Sequence, residues 1–237
     1  MRFSLIIPCY NEGKNLPLLI DKCGPLLRNP NIEIILVNNG STDDTGKTLS
    51  KISPKCSNFK VVSLKENIGY GHGILSGLKV AKGKILGWTH ADMQTDPSDA
   101  LRGLELFESH GDQIFVKGNR TGRAVSDQFF TFGMSLFETL LMRQLLWDIN
   151  AQPTMFSREF YLTWSSPPKD FSLDLFVYVK ARIQKLMVYR VKVLFPPRQF
   201  GVSNWNVDWH SKTNFIRRTL KYSLHLRKKI RDGNHSP

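Results

Sequence analysis

Four short apolar runs, each closed by a polar loop and each separated from the next by helical spacing, constrain this chain more than any other feature. Phe3–Ile7, Ile32–Val37, Lys60–Leu64 and Lys84–Thr89 are rich in Ile, Val or Leu. Runs of that length suit strands of a parallel sheet covered on both faces, where the side chains on either side of the pleat are apolar. Between them, Asn15–Leu27 carries Leu16, Leu19, Ile20 and Leu26, and Gly73–Ala81 carries Ile74, Leu75, Leu78 and Ala81, both at helical spacing. Asp44–Ile52 opens on acidic residues, which favour a helix start. Strand, helix, strand at this pace means βαβ units, hence an α/β fold: a doubly wound, mostly parallel sheet with helices on both faces.

The second half is less regular. Ile114–Lys117, Thr154–Phe156 and Met187–Phe195 read as strands; Phe129–Trp147 (broken at Gly133), Arg158–Trp164, Leu173–Gln184 and Thr213–Ile230 read as helices. No linker divides the chain, and 237 residues suffice for one domain with two unlike halves. Phe129–Ile149 is the most apolar long stretch, but Glu138 and Arg143 interrupt it, which predicts a buried or membrane-surface helix and not a spanning one. Cys9, Cys23 and Cys56 are odd in number and lack metal-ligand spacing, which fits a reducing compartment. Of the formal charge of +13, Arg190–Pro237 supplies +9, from eleven basic and two acidic residues. No recognition motif accompanies that charge, so nucleic acid is not the expected partner. On the last helix Ile216, Leu220 and Leu224 share a face, with Arg217, Arg218 and Lys221 beside them. That pattern suits an anionic membrane surface, with Trp205 and Trp209 as headgroup anchors.

In open α/β sheets ligands bind beyond the carboxyl ends of the strands. The loops there read Pro8-Cys9-Tyr10-Asn11-Glu12, Asn38-Asn39-Gly40-Ser41-Thr42-Asp43-Asp44, Glu66 through Gly73, and His90-Ala91-Asp92-Met93-Gln94. Along one edge they collect amides, carboxylates and an imidazole, a set suited to a nucleoside diphosphate with a divalent metal. Gly69, Gly71 and Gly73 do not have the spacing of the dinucleotide fingerprint and point to a tight turn and close packing. Asp43 and Asp44 read as helix-capping residues.

Taken together, Ile6 through Glu12, Val37 through Asp43, Asn67-Ile68-Gly69 and Ala91-Asp92-Met93-Gln94 resemble the motif series of family 2 glycosyltransferases with the GT-A fold. Gly118-Asn119-Arg120, the segment Asp148–Arg158 and Arg198-x-x-Gly201-x-Ser203 extend the resemblance toward the dolichyl-phosphate mannosyltransferase and polyprenyl-phosphate glycosyltransferase branch. The resemblance implies inverting, metal-assisted transfer of a sugar from a UDP- or GDP-type donor to a lipid-linked or glycan acceptor. It implies residues 1–210 as the transferase domain, with 1–112 the nucleotide-sugar half and 113–210 the acceptor half, followed by a basic tail over 211–237. By position, Pro8, Tyr10, Glu12, Asn38, Asn39 and Ala91 would border the nucleotide. His90, Asp92 and Gln94 would hold Mn²⁺ or Mg²⁺. Arg120, Arg198 and Ser203 would bind acceptor phosphate, and Asp92 and Asp174 would be catalytic.

Two departures stand out on the donor side. Asn38-Asn39 occupies the place of an aspartate, and an amide both donates and accepts, which inclines the base toward uracil. His90 replaces the first carboxylate of Asp-x-Asp, which weakens the site for Mg²⁺ more than for Mn²⁺. A second Arg usual after Gly-x-Arg is missing, Arg123 being the closest base. A phosphate acceptor needs no general base, whereas a hydroxyl acceptor would require one, for which Asp174 is placed. The two departures leave open a nucleotide-sugar-binding protein without turnover. The expected location is cytoplasmic, peripheral on the cytoplasmic face of a membrane.

Overall fold

The apolar runs pair as their composition dictates. In the computed structural model, which describes residues 1–52, 58–123, 125–198 and 209–232, β1 (Phe3–Cys9) lies inside the sheet, with Phe3 to Cys9 matched to Ile32 to Asn38 of β2 (Ile32–Asn39). Beyond β2 lies β3 (Phe59–Leu64), and on the other side of β1 lies β4 (Ile85–Trp88), all parallel. The order is β3-β2-β1-β4-β6-β5-β7, completed by β5 (Ile114–Thr121), β6 (Thr154–Ser157) and β7 (Met187–Leu194). β6 runs antiparallel to both β4 and β5, and β5 and β7 are parallel to each other. The order reverses between β1 and β4, so a crevice opens there at the carboxyl ends of the strands.

Helices cover both faces. The first half carries α1 (Leu16–Lys22), α2 (Gly24–Leu27), α3 (Thr45–Ile52), α4 (Tyr70–Val80) and α5 (Asp99–His110). The second half carries α6 (Val125–Met142), α7 (Arg158–Leu162), α8 (Leu173–Ile183) and α9 (Trp209–Arg231). One core, around Leu5, Leu36, Leu104 and Met155, fills one side of the sheet; a second, around Trp88, Phe115, Phe156 and Phe176, fills the other.

Three elements differ from the sequence expectation. Asn15–Leu27 is two helices, because Pro25 has no N–H to donate across the junction. α6 is continuous through Gly133 and ends at Met142. α5 has no counterpart in the expectation: its buried face is Ala100, Gly103, Leu104 and Phe107, two of them too small to register as an apolar stripe.

The basic helix α9 packs on the body, and the face it uses is not the expected one. Leu226 and Ser223 are buried, whereas Leu224 is 59% exposed. Ser223 Oγ donates to Glu138 Oε1 of α6 at 2.6 Å, and Glu138 Oε2 is buried without a partner. Burial pushes the Glu138 carboxyl up to about 7, the Ser223 hydrogen bond opposing the rise. Below the unfolded value of 4.5 the group is protonated in both states, and stability is lost as the pH climbs from there through about 7. The loss amounts to about 3 kcal/mol. Glu138→Gln should abolish this slope, so that urea midpoints of the variant vary less than those of wild type between about pH 5 and pH 8.

Candidate functional site

The loops after β1 and β2 are stitched together by their own turn residues. Asn11 Oδ1 accepts from the Thr42 amide at 2.8 Å, and Ser41 Oγ accepts from the Asn11 amide at 3.1 Å. Thr45 Oγ1 accepts from the Glu12 amide at 2.8 Å, and Asp43 Oδ1 accepts from the Thr45 amide at 2.9 Å, capping α3 as expected. Pro8, Tyr10 and Glu12 are half-buried beside this seam. Burial pushes the Glu12 carboxyl up, with the hydrogen bond from Asn15 opposing it.

The asparagine pair divides. Asn38 Oδ1 accepts from the Ser41 amide at 3.1 Å and braces the turn. Asn39 is 3% exposed and donates to Gly69 O at 3.1 Å and Asn67 Oδ1 at 3.3 Å, while its own Oδ1 is buried without a partner. Asn39 is therefore a bracing residue: its place at the buried end of β2 faces α4. Ala91 is likewise buried in the core, which leaves only its backbone for a ligand. Gly69 lies at φ +146°, and a Cβ there would sit 2.5 Å from Lys169 O, which is the close packing read from the sequence.

His90, Asp92 and Gln94 follow β4, and the chain leaving β7 crosses them. Gln94 Nε2 donates to Pro196 O at 3.1 Å. Arg198 Nε donates to Gln94 Oε1 at 3.1 Å, and its Nη2 pairs with Asp92 Oδ2 at 2.7 Å. The other Asp92 oxygen accepts from the Gln94 amide at 3.1 Å. Arg198, expected to face acceptor phosphate, is thus a counter-ion inside the candidate donor site. His90 lies 5.7 Å from the Tyr70 ring; burial lowers its pKa against the pull of Asp92 and Asp174, so the imidazole is neutral near pH 7.

The residues suit a divalent cation in kind. One carboxylate oxygen of Asp92 and the amide oxygen of Gln94 meet on Arg198, whose guanidinium already stands there as a cation, and the neutral imidazole of His90 is close enough to feel Asp92 electrostatically. Among the described residues no group of three or more His, Cys, Asp and Glu could hold a metal alone. A cation here would therefore complete its shell with phosphate and water oxygens, as ions beside diphosphates do.

Asp174 sits at the start of α8 as expected, with its Oδ1 engaged by neighbouring side chains. It is 2% exposed and accepts from Lys117 Nζ at 3.0 Å and Gln152 Nε2 at 2.9 Å. Lys117 also donates to Thr154 Oγ1 at 2.7 Å. Burial lowers the Lys117 pKa, and Asp174 counters it. A carboxylate engaged in this way holds the β5–β6–α8 junction, and the sequence could not reveal that Lys117 lies opposite it.

Arg120 is brought close enough to act electrostatically on His90, but its guanidinium pairs with Asp148 and stacks 5.1 Å over Phe195. Arg123 differs. Its Nη1 donates to Thr131 Oγ1 at 2.7 Å, while its Nε is buried with no partner. Both arginines line a groove of about 390 Å³ walled by Val125, Phe129, Phe132 and Trp147. Phe129 and Leu140 of α6 are 72% and 70% exposed, and Phe132 and Leu136 extend that face. Ser203 lies outside the described residues. Among the described residues no helix is long and apolar enough to cross a membrane.

Residues 4–160 match the family described as Glycosyl transferase family 2. An undecaprenyl-phosphate 4-deoxy-4-formamido-L-arabinose transferase of Pseudomonas savastanoi pv. phaseolicola is 33% identical over 125 residues, 51% of this chain and 37% of that protein. A dolichol-phosphate mannosyltransferase of Pyrococcus furiosus is 30% identical over 124 residues, 51% of this chain and 35% of that protein. The chain thus spans little more than a third of these curated relatives. The fold matches glucosyl-3-phosphoglycerate synthase of Mycobacterium tuberculosis in complex with UDP, with a TM-score of 0.73 at 18% identity over 95% of this chain and 79% of that one. Another structure of that enzyme holds Mn²⁺, UDP-glucose and phosphoglyceric acid, and matches with a TM-score of 0.71 at the same identity and coverage.

Proposed function

The chain belongs to Glycosyl transferase family 2, and from that premise we propose that it moves a sugar from a nucleoside diphosphate donor to a polyprenyl phosphate. The donor lies across the loops after β1, β2 and β4, and the acceptor phosphate lies in the groove of Arg120 and Arg123. The observation that carries the acceptor assignment is Arg123, a half-buried guanidinium whose Nε is buried without a partner beside an apolar groove. A lipid phosphate joins the two chemistries that meet there: an anion for the guanidinium and a hydrocarbon chain for Phe129 and Phe132. Its oxygen is already a nucleophile, so attack on the anomeric carbon with inversion requires no protein base. This agrees with a site whose Asp174 is tied to Lys117.

When bound, a divalent cation would neutralise charge on the departing diphosphate. Asp92 and Gln94 would hold it, with His90 beside them, and the Mn²⁺–UDP-glucose complex of the structural neighbour supports that reading. The apolar face of α6 would rest on the membrane, and Arg217, Arg218, Lys221 and Lys228, exposed on α9, would meet anionic headgroups.

The test is transfer from a panel of UDP- and GDP-sugars to undecaprenyl phosphate in detergent, with wild type and Arg123→Ala. The variant should transfer about a hundredfold less while binding donor unchanged. Equal rates in the two proteins, or transfer only to sugar hydroxyls, would reject the acceptor assignment. Donor binding without transfer to any acceptor would favour a binding protein.

A further inference from the structure

The crossing of the β4 loop by the chain after β7 has a consequence for how the donor site fills. Arg198 donates to both side chains that offer oxygen to a cation, Asp92 and Gln94, and is itself only 28% exposed. A divalent ion on those two oxygens would face, on the same two atoms, a like charge at close range. The guanidinium and the ion therefore exclude each other. The Pro196 carbonyl, bonded to Gln94 Nε2, holds the backbone of the same segment over the loop.

We propose that Arg198 is an exchangeable counter-ion: it occupies the cation position of the free protein and passes onto the diphosphate when cation and nucleotide arrive together. This inference rests on the donor-site reading above. A guanidinium has five N–H donors, of which the two contacts with Asp92 and Gln94 use two, so it can turn to phosphate oxygens without losing its hydrogen-bonding capacity. A cation arriving alone would displace Arg198 with no anion to receive it. A diphosphate arriving alone would draw Arg198 from Asp92 and leave that carboxylate, 5% exposed, without its cation. Arriving as a pair, the ligands leave every charge matched. The site therefore takes metal and nucleotide cooperatively, and by linkage each raises the affinity for the other equally.

The experiment measures Mn²⁺ binding from the electron paramagnetic resonance of the free ion, and UDP binding by calorimetry at saturating Mn²⁺, for the full chain and for Arg198→Ala and Arg198→Lys. Arg198→Ala should bind Mn²⁺ alone about tenfold more tightly than wild type and UDP about tenfold more weakly, effects of opposite sign. Arg198→Lys, which keeps the charge but not the fork, should bind Mn²⁺ alone as weakly as wild type does. A merely structural arginine would move both affinities in one direction. Unchanged or weaker Mn²⁺ binding by Arg198→Ala overturns the proposal, as does an absence of Mn²⁺ binding by all three proteins. Failure of UDP to bind wild type at saturating Mn²⁺ would instead strike the donor reading, while the measurement with Mn²⁺ alone still decides Arg198.

Discussion

Replacing Asp92 by asparagine should lower sugar transfer about a hundredfold or more while leaving the fold in place. Asp92 is the one carboxylate of the His90, Asp92, Gln94 trio, and it is 5% exposed. Asparagine keeps the shape and can still accept from the Gln94 amide, so the loop after β4 should hold. On the proposed reading, what disappears is the negative charge that would retain a cation, or Arg198, where the diphosphate would develop charge as it leaves. The Asp92–Arg198 pair is partly open to solvent on the arginine side, so its loss should cost about 1 kcal/mol or less. Transfer rates set beside thermal unfolding separate the two effects. A variant that transfers as wild type does would place the reacting diphosphate elsewhere.

The largest effect on stability should come from Asp174→Ala. Lys117 and Asp174 are 0% and 2% exposed, and their contact at 3.0 Å lies within a closed set of hydrogen bonds with Gln152 and Thr154. Removing one partner leaves an ammonium in an apolar interior, which costs about 3–5 kcal/mol. Lys117 can shed its proton, since burial already lowers its pKa, but the neutral amine would keep only Thr154 Oγ1 as an acceptor and Gln152 Nε2 would lose its own. The double variant Lys117→Met, Asp174→Leu should recover most of the loss, because apolar groups of similar volume often replace a buried ion pair at little cost. Urea unfolding of the single and double variants measures this. Single-variant stability within about 1 kcal/mol of wild type would show that the pair does not hold the β5–β6–α8 junction.

The two variants also separate roles that sequence reading joined. Both aspartates follow motifs that point to chemistry. Asp92 follows β4, beside the crevice where the strand order reverses, whereas Asp174 begins α8 with its Oδ1 engaged by Lys117 and Gln152. Asn38 and Asn39 divide for a similar reason: adjacent residues at a strand end point to opposite faces, and Asn39 is the one set against α4. The basic tail was legible as an amphipathic helix, but its buried side was not. Leu224 is exposed and Ser223 buried because α9 turns Tyr222, Leu226 and Ile230 to the core, where Glu138 of α6 gives Ser223 an acceptor.

From order along the chain alone come the βαβ alternation, the parallel strands β1 to β4 and the loops that gather at their carboxyl ends. Strand period, helix period and turn chemistry act between residues a few positions apart, so they survive in a bare sequence. The partners of Arg198, Asp174 and Glu138 lie 104, 57 and 85 positions away, and no local pattern links them. Only the packing of distant elements brought those groups together. Burial then made the difference, because a charge removed from water must find a partner in whatever the fold places beside it.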